Sequence, residues 1–196
     1  ARMRAGWRET SYERRLEEAI RARRLSRPVT IAVVSPSAGA GRTTIATLLG
    51  SLLARLRVDR VLLLDAAAAA ASAVEAGTAA LVVVDCAPGL DEPSTQAALA
   101  IADQVLVVVE AGPASARDVA RAAAALGDDG PPAILVVNRV PARGKDVGWL
   151  EHELPAARGL IAVHDDPRRA EQPRSGQLTG TERTAAWDLP LRELAA

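Results

Sequence analysis

"VVSPSAGAGRTTIATLLG", residues 33–50, decides how this chain is read. Its opening completes an apolar run, VTIAVV at 29–34, of the kind found in strands buried on both faces. Its close places Ile45, Leu48, Leu49, Leu52 and Leu53 at the i, i+3, i+4, i+7, i+8 spacing of a helix. Between the two lie Gly39 and Gly41, residues that let a backbone curl back on itself. Strand, glycine-containing turn and helix N-terminus in direct succession aim N–H groups and a helix dipole at an anion. A phosphate loop of the Walker A kind follows its glycines with a lysine and then a hydroxyl for Mg²⁺. Here Arg42 holds the lysine position, and Thr43 and Thr44 offer the hydroxyls. Arginine keeps the charge, but its planar fork is not equivalent to a compact ammonium lodged between phosphates.

Outward from this stretch, five more apolar runs recur: RVLLLD (60–65), ALVVVD (80–85), QVLVVVE (104–110), AILVVN (133–138) and LIAVH (160–164). They are β-branched and leucine-rich, and they alternate with helical segments, which predicts a parallel sheet covered on both faces. A helix is expected from Ser115, where Asp118 three residues later suggests a capping box ahead of VARAAAAL. Residues 127–132 then break the chain before the next strand. One α/β domain is expected over residues 28–196, preceded by a basic amphipathic arm at 1–27.

Composition narrows the function classes. The chain of 196 residues is 49% hydrophobic and 24% charged, which is globular. Three Trp, one Tyr and no Phe leave no aromatic platform on which RNA bases could stack. The single cysteine, Cys86, excludes an internal disulfide, and no Cys/His grouping has zinc spacing. Cys86 reads as a small buried residue rather than a nucleophile. Any metal is expected to be Mg²⁺ arriving with a nucleotide. No apolar run is long enough for a membrane span, and the expected location is cytoplasmic or peripheral at a membrane.

Charge is unevenly placed. Residues 1–28 hold nine arginines against four glutamates, while the whole chain is neutral, so the remainder is acidic by five charges. Within the arm, Tyr12, Leu16 and Ile20 form a narrow apolar stripe at helical spacing. Such a helix either docks on its own domain or contacts a partner protein, an anionic membrane surface or nucleic acid. Trp7 favours an interfacial or partner role. Nucleic acid is the weakest of these, because the acidic remainder repels phosphate.

The ordered set IAVVSPSAGAGRTTIATLLGSLLA, VLLLD, LVVVDCAPGL, ADQVLVVVEAGPASARDVARAAAAL and VVNRV resembles the MinD/ParA family of deviant Walker A P-loop ATPases. The approach YERRLEEAIRARRL and the tail HDDPRRAEQ, with RTAAWDLPLRELAA, are similar to the MinD-like proteins associated with type VII secretion. The resemblance spans about residues 12–194. It implies a three-layer P-loop NTPase-like domain with a mainly parallel central sheet, ATP or ADP with Mg²⁺ as cofactor, and homodimers that sandwich the nucleotide or bind a protein partner.

Position by position, the resemblance also marks departures. The lysine that would reach the other subunit's phosphates corresponds to Ser37, the opening glycine to Pro36 and the first paired glycine to Ala38. The acidic motif after the second strand reads Asp65-Ala66-Ala67, so the carboxylate that would position water is replaced by Ala67. Retained candidates for nucleotide are Gly39, Ala40, Gly41, Arg42, Thr43 and Thr44, with Asn138, Arg139 and Asp166 at the base. Candidates for the metal are Thr43, Asp65 and Asp85. Residues 86–89, Cys-Ala-Pro-Gly, match a switch turn. Read without the resemblance, Asp85 is also an ordinary strand terminus, Asn138 and Arg139 a strand-end turn, and Asp166 a helix cap. Only fifteen residues, six of them consecutive alanines, separate Asp65 from Leu81, too few for the family's first switch. The expected function is a degenerate nucleotide-binding module without efficient hydrolysis; the alternative is an active ATPase switch that dimerises on ATP to localise a partner or cargo.

Overall fold

The computed structural model describes residues 2–22, 24–66, 79–141, 146–165 and 185–195. In chain order these form α1 (Arg2–Ala22), β1 (Val29–Val34), α2 (Arg42–Leu56), β2 (Val61–Asp65), β3 (Leu81–Asp85), α3 (Pro93–Ile101) and β4 (Gln104–Glu110). Then follow α4 (Ser115–Leu126), β5 (Ala133–Val140), a 3₁₀ segment (Gly148–Glu153), β6 (Ala157–His164) and α5 (Ala185–Ala195). The six strands make one sheet in the order β2-β3-β1-β4-β5-β6, and every pairing is parallel.

The period-two geometry of a strand divides its apolar residues between two cores. Ala32, Val34, Val82, Val84, Val105, Val107 and Val109 face one side, where they meet Ala98 and Leu99 of α3 and Val119, Ala122 and Leu126 of α4. Val33, Leu81, Val83, Leu106, Val108 and Val136 face the other, against Ile45, Leu49, Leu52 and Leu53 of α2, Ile20 of α1 and Leu194 of α5. The result is the three-layer α/β arrangement expected from continuous apolar runs, with an entirely parallel sheet.

β5 runs on to Val140, two residues past its apolar run, and two further features differ from the sequence reading. The β6 strand begins at Ala157 rather than Leu160, because an edge strand tolerates the polar and glycine positions of Arg158 and Gly159 that an apolar run does not contain. The capping box expected at Ser115 and Asp118 does not form. The Ser115 hydroxyl turns back to accept the Gly112 N–H at 2.8 Å, and Asp118 accepts instead from the Ser37 hydroxyl at 2.9 Å. A tertiary partner for Asp118 thus displaces the local one.

The arm is a helix whose later turns rest on the domain. Ile20 is 1% exposed, and the Arg57 guanidinium donates to its carbonyl at 3.3 Å. Arg192 of α5 is buried and donates to Glu17 from both Nε (3.0 Å) and Nη2 (2.9 Å). Tyr12 donates to Glu193 at 3.3 Å. Arg14, Arg15 and Arg21 lie on the exposed side. Trp7 carries a side chain outside the described residues. Among the described residues, no helix is long and apolar enough to cross a membrane.

At the amino end of the strands, the Asp103 carboxylate accepts the Thr30 N–H at 2.8 Å and meets the Arg27 guanidinium at 2.6 Å. The backbone hydrogen bond first, and then the arginine, hold this carboxyl below its usual range.

Two measurements check this packing. Ile20→Ala should lower unfolding free energy by about 2–5 kcal/mol in urea titration, as buried truncations do. Val58→Ser, in the exposed turn after α2, should stay within about 0.5 kcal/mol of the parent. Because the folded pKa of Asp103 is depressed, its stabilisation is present above the unfolded carboxyl value and lost as pH falls through the folded one. The stability gap between the parent and Asp103→Asn should therefore be widest near neutrality and close in acid.

Candidate functional site

The site is built where the sheet reverses its order. From β1 the chain passes over β3 to β2, returns to β3, and then continues on the other side at β4. The carboxyl end of β1 is therefore flanked by the ends of β3 and β4, the crevice where open parallel sheets bind ligands. In register there stand Asp65 beside Asp85 and Glu110 beside Asn138.

Between β1 and α2 the loop closes through two left-handed glycines, Gly39 at φ +85° and Gly41 at φ +93°. Gly41 caps α2 without a side-chain hydrogen bond, and its carbonyl receives the Ile45 N–H at 3.0 Å. The first N–H groups of a helix have no intrahelical acceptor, so the opening of α2 presents its donors to the cleft. That cleft holds about 300 Å³ and is lined by residues 37–44 together with Pro88 and Arg139. Thr43 is exposed there and Thr44 half-buried. A curled backbone, a helix N-terminus and this volume fit a phosphate group.

The side chains around the loop are committed to one another. Arg42 Nε donates to Asp85 Oδ1 at 2.7 Å, with only 14% and 16% of the two side chains exposed. Asn138, 2% exposed, donates to the Ala40 carbonyl at 2.8 Å and accepts the Arg139 N–H at 2.9 Å. The Ser37 hydroxyl is bound to Asp118, and the Ser35 hydroxyl donates to the Ser37 carbonyl at 2.7 Å. Arg139 has a left-handed backbone, φ +56°, and its guanidinium meets Glu110 at 3.0 Å on the exposed rim. Such a conformation costs a side-chain-bearing residue about 1–3 kcal/mol and here is held by the Asn138 bond.

The turn after β3 is pinned as well. Cys86 N–H donates to the Val33 carbonyl and Gly89 N–H to the Ser35 carbonyl, each at 3.1 Å. From α3, Thr95 donates to the Ala87 carbonyl at 3.2 Å and Gln96 to the Leu90 carbonyl at 2.6 Å. Cys86 is buried, and burial pushes its thiol up to about 12, so the neutral thiol persists at physiological pH.

The structure thus brings Ser37, Gly39, Ala40, Gly41, Arg42, Thr43, Thr44, Asp85, Asn138 and Arg139 together around one loop. Asp65 lies exposed at the end of β2, one strand beyond Asp85. Ala67 and Asp166 lie outside the described residues. Asp118 and Glu110 also belong to the site, and the sequence reading missed both. Glu110 is signalled by a charge closing the strand next to β1, whereas Asp118 has no local signal.

No protein-family profile matches the chain, and no curated protein matches it. Solved structures do. An ATP complex of a McdA variant from Cyanothece is 15% identical, with a TM-score of 0.67 over 87% of this chain and 96% of that one. MinD with Mg-ADP from Pyrococcus horikoshii is 14% identical, with a TM-score of 0.63 over 86% and 94%. MinD from Aquifex aeolicus, also solved as a MinC:MinD complex, is 19% identical, with a TM-score of 0.59 over 72% and 84%. The chain therefore shares the fold of these McdA and MinD structures.

The loop geometry sets an order of substitution costs. A Cβ at Gly41 would stand 2.1 Å from Asn138 Nδ2, whereas one at Gly39 meets nothing within 4 Å. Gly39→Ala should cost only the strain of holding a side-chain-bearing residue in the left-handed region, about 1–2 kcal/mol. Gly41→Ala should lose more. In a double-mutant cycle, Asn138→Ala should relieve part of the Gly41→Ala penalty, visible as non-additive unfolding free energies.

Proposed function

We propose that this chain is a degenerate nucleotide-binding module of the MinD/ParA type, a pseudo-ATPase that serves as a regulatory or interaction part of a larger assembly such as a type VII secretion machine. The observation that carries the reading is the Arg42–Asp85 bond at 2.7 Å. Phosphoryl transfer needs cations directed at the transferring and leaving oxygens and a water held for attack. In this loop the one arginine of the Walker position is turned onto a carboxylate. Ser37, at the place of the cross-subunit lysine, has no charge and is bound to Asp118. Ala67 lacks the carboxylate that would orient water. The backbone cradle of Gly39, Gly41 and the opening of α2 remains, which supports weak binding of ATP or ADP, with Asn138 shaping the loop and Arg139 at the rim.

The partner is read as a protein or a second copy of the chain, in keeping with the MinC:MinD complex of the structural relative. The arm, residues 1–27, offers Arg14, Arg15 and Arg21 to that partner or to an anionic membrane surface. The α/β unit from residue 28 supplies the scaffold.

Steady-state phosphate release should be indistinguishable from a Thr43→Ala control in the same preparation. Each lost charge-stabilising contact costs about 10²-fold or more in such sites, without strict additivity. Turnover well above the control would favour the active ATP-dimerised switch instead. Lysine at both 37 and 42 should improve nucleotide binding in calorimetry before any turnover appears, since Ala67 is unchanged.

A further inference from the structure

We propose that Arg42 takes the place of the divalent cation at Asp85, so that the loop binds a nucleotide phosphate without Mg²⁺. The inference rests on the reading of the loop as a nucleotide site. Asp85 is the carboxylate best placed to hold a metal's water shell, at the end of β3 beside the end of β1. Its Oδ1 instead accepts a charge-assisted hydrogen bond from Arg42 Nε at 2.7 Å, within a pair that is mostly screened from solvent. Mg²⁺ demands near-octahedral oxygen ligands and keeps several waters, and it would have to displace a fixed positive charge to enter. Among the described residues, no group of three His, Cys, Asp or Glu side chains gathers a protein-only cage for the ion. The divalent ion therefore does not fit this carboxylate.

The same pair supplies what the anion needs. Arg42 opens α2 and lines the cleft, so its charge stays beside the phosphate cradle while Nε is committed to Asp85. The bond accounts for one of five guanidinium N–H donors. Arg139 on the rim, paired with Glu110 at 3.0 Å, adds a second guanidinium to the lining. What receives a metal-free polyphosphate here is the helix N-terminus and the guanidinium N–H donors of Arg42 beyond Nε, hydrogen-bonding groups rather than an unmatched positive charge.

The test uses the full chain and two readouts. Calorimetric titration with ATP in EDTA and in excess MgCl₂ should give dissociation constants within about threefold of each other. In Arg42→Gln, with Asp85 released, Mg²⁺ should tighten ATP binding about tenfold or more. Amide chemical shifts of Asp85 and Cys86, followed while Mg²⁺ alone is added, should stay fixed in the parent and move in Arg42→Gln. If that variant is unfolded, Arg42→Met is used in the same way. Mg²⁺-dependent ATP binding by the parent, movement of its Asp85 resonance with Mg²⁺, or an Asp85 that ignores Mg²⁺ after Arg42 is removed would each overturn the inference. Absence of ATP binding under every condition would overturn the nucleotide reading instead, and the Mg²⁺ shifts would still decide whether Arg42 excludes the ion from Asp85.

Discussion

The burial of β1 on both faces and both edges constrains everything that follows it. Ala32, Val33 and Val34 have no exposed surface, and hydrogen-bonded strands lie on either side. A strand so enclosed cannot shift its register without turning one core's residues into the other. Its carboxyl end therefore emerges at one fixed point, between the ends of β3 and β4. The loop, the start of α2 and the turn at residues 86–89 all take their positions from that point.

Around it, polar groups satisfy one another. Asn138 holds the Ala40 carbonyl, Ser35 holds the backbone of Ser37, Asp118 holds the Ser37 hydroxyl, and Asp85 holds Arg42. Buried polar atoms require such partners, and a network that meets the requirement is rigid. Rigidity of the backbone and availability of charge are separate properties, and this loop keeps the first while spending the second internally. A catalytic site holds its cations open toward a charge that appears only in the transition state. Here the compensating carboxylates are already part of the protein.

The layers of the fold were legible because burial on two faces demands continuous apolar runs, and those of β1 and β4 coincide with the observed strands. The edge strand β6 was shortened in the reading because its first residues need bury only one side. At the site, Gly39 and Gly41 announced the curled backbone, since only glycine adopts that conformation at little cost. What the side chains touch was not legible. Asp118 lies 81 residues from Ser37, and Asp85 lies 43 from Arg42. Residue type and spacing specify what a side chain can offer, whereas a tertiary partner depends on the register of strands brought together across the sheet. Hence sequence alone makes Asp118 a local cap, and gives no sign that Arg42 commits its Nε to Asp85.

The clasp between α1 and α5 has a consequence for synthesis. Glu17 and Arg192 are separated by 175 residues, and the hydroxyl of Tyr12 reaches across 181 to Glu193. A chain leaving the ribosome exposes α1 early and α5 only after the sheet has been translated. Until then the acidic side of α1 lacks its arginine, and the apolar surface around Ile20 lacks Leu194. The contact that closes this face has among the highest sequence separations in the fold, so loop closure makes it entropically expensive to form before the rest is in place. Nascent chains halted before α5 would then hold α1 by its contact with α2, through Arg57 and the Ile20 carbonyl, a seat that α5 completes.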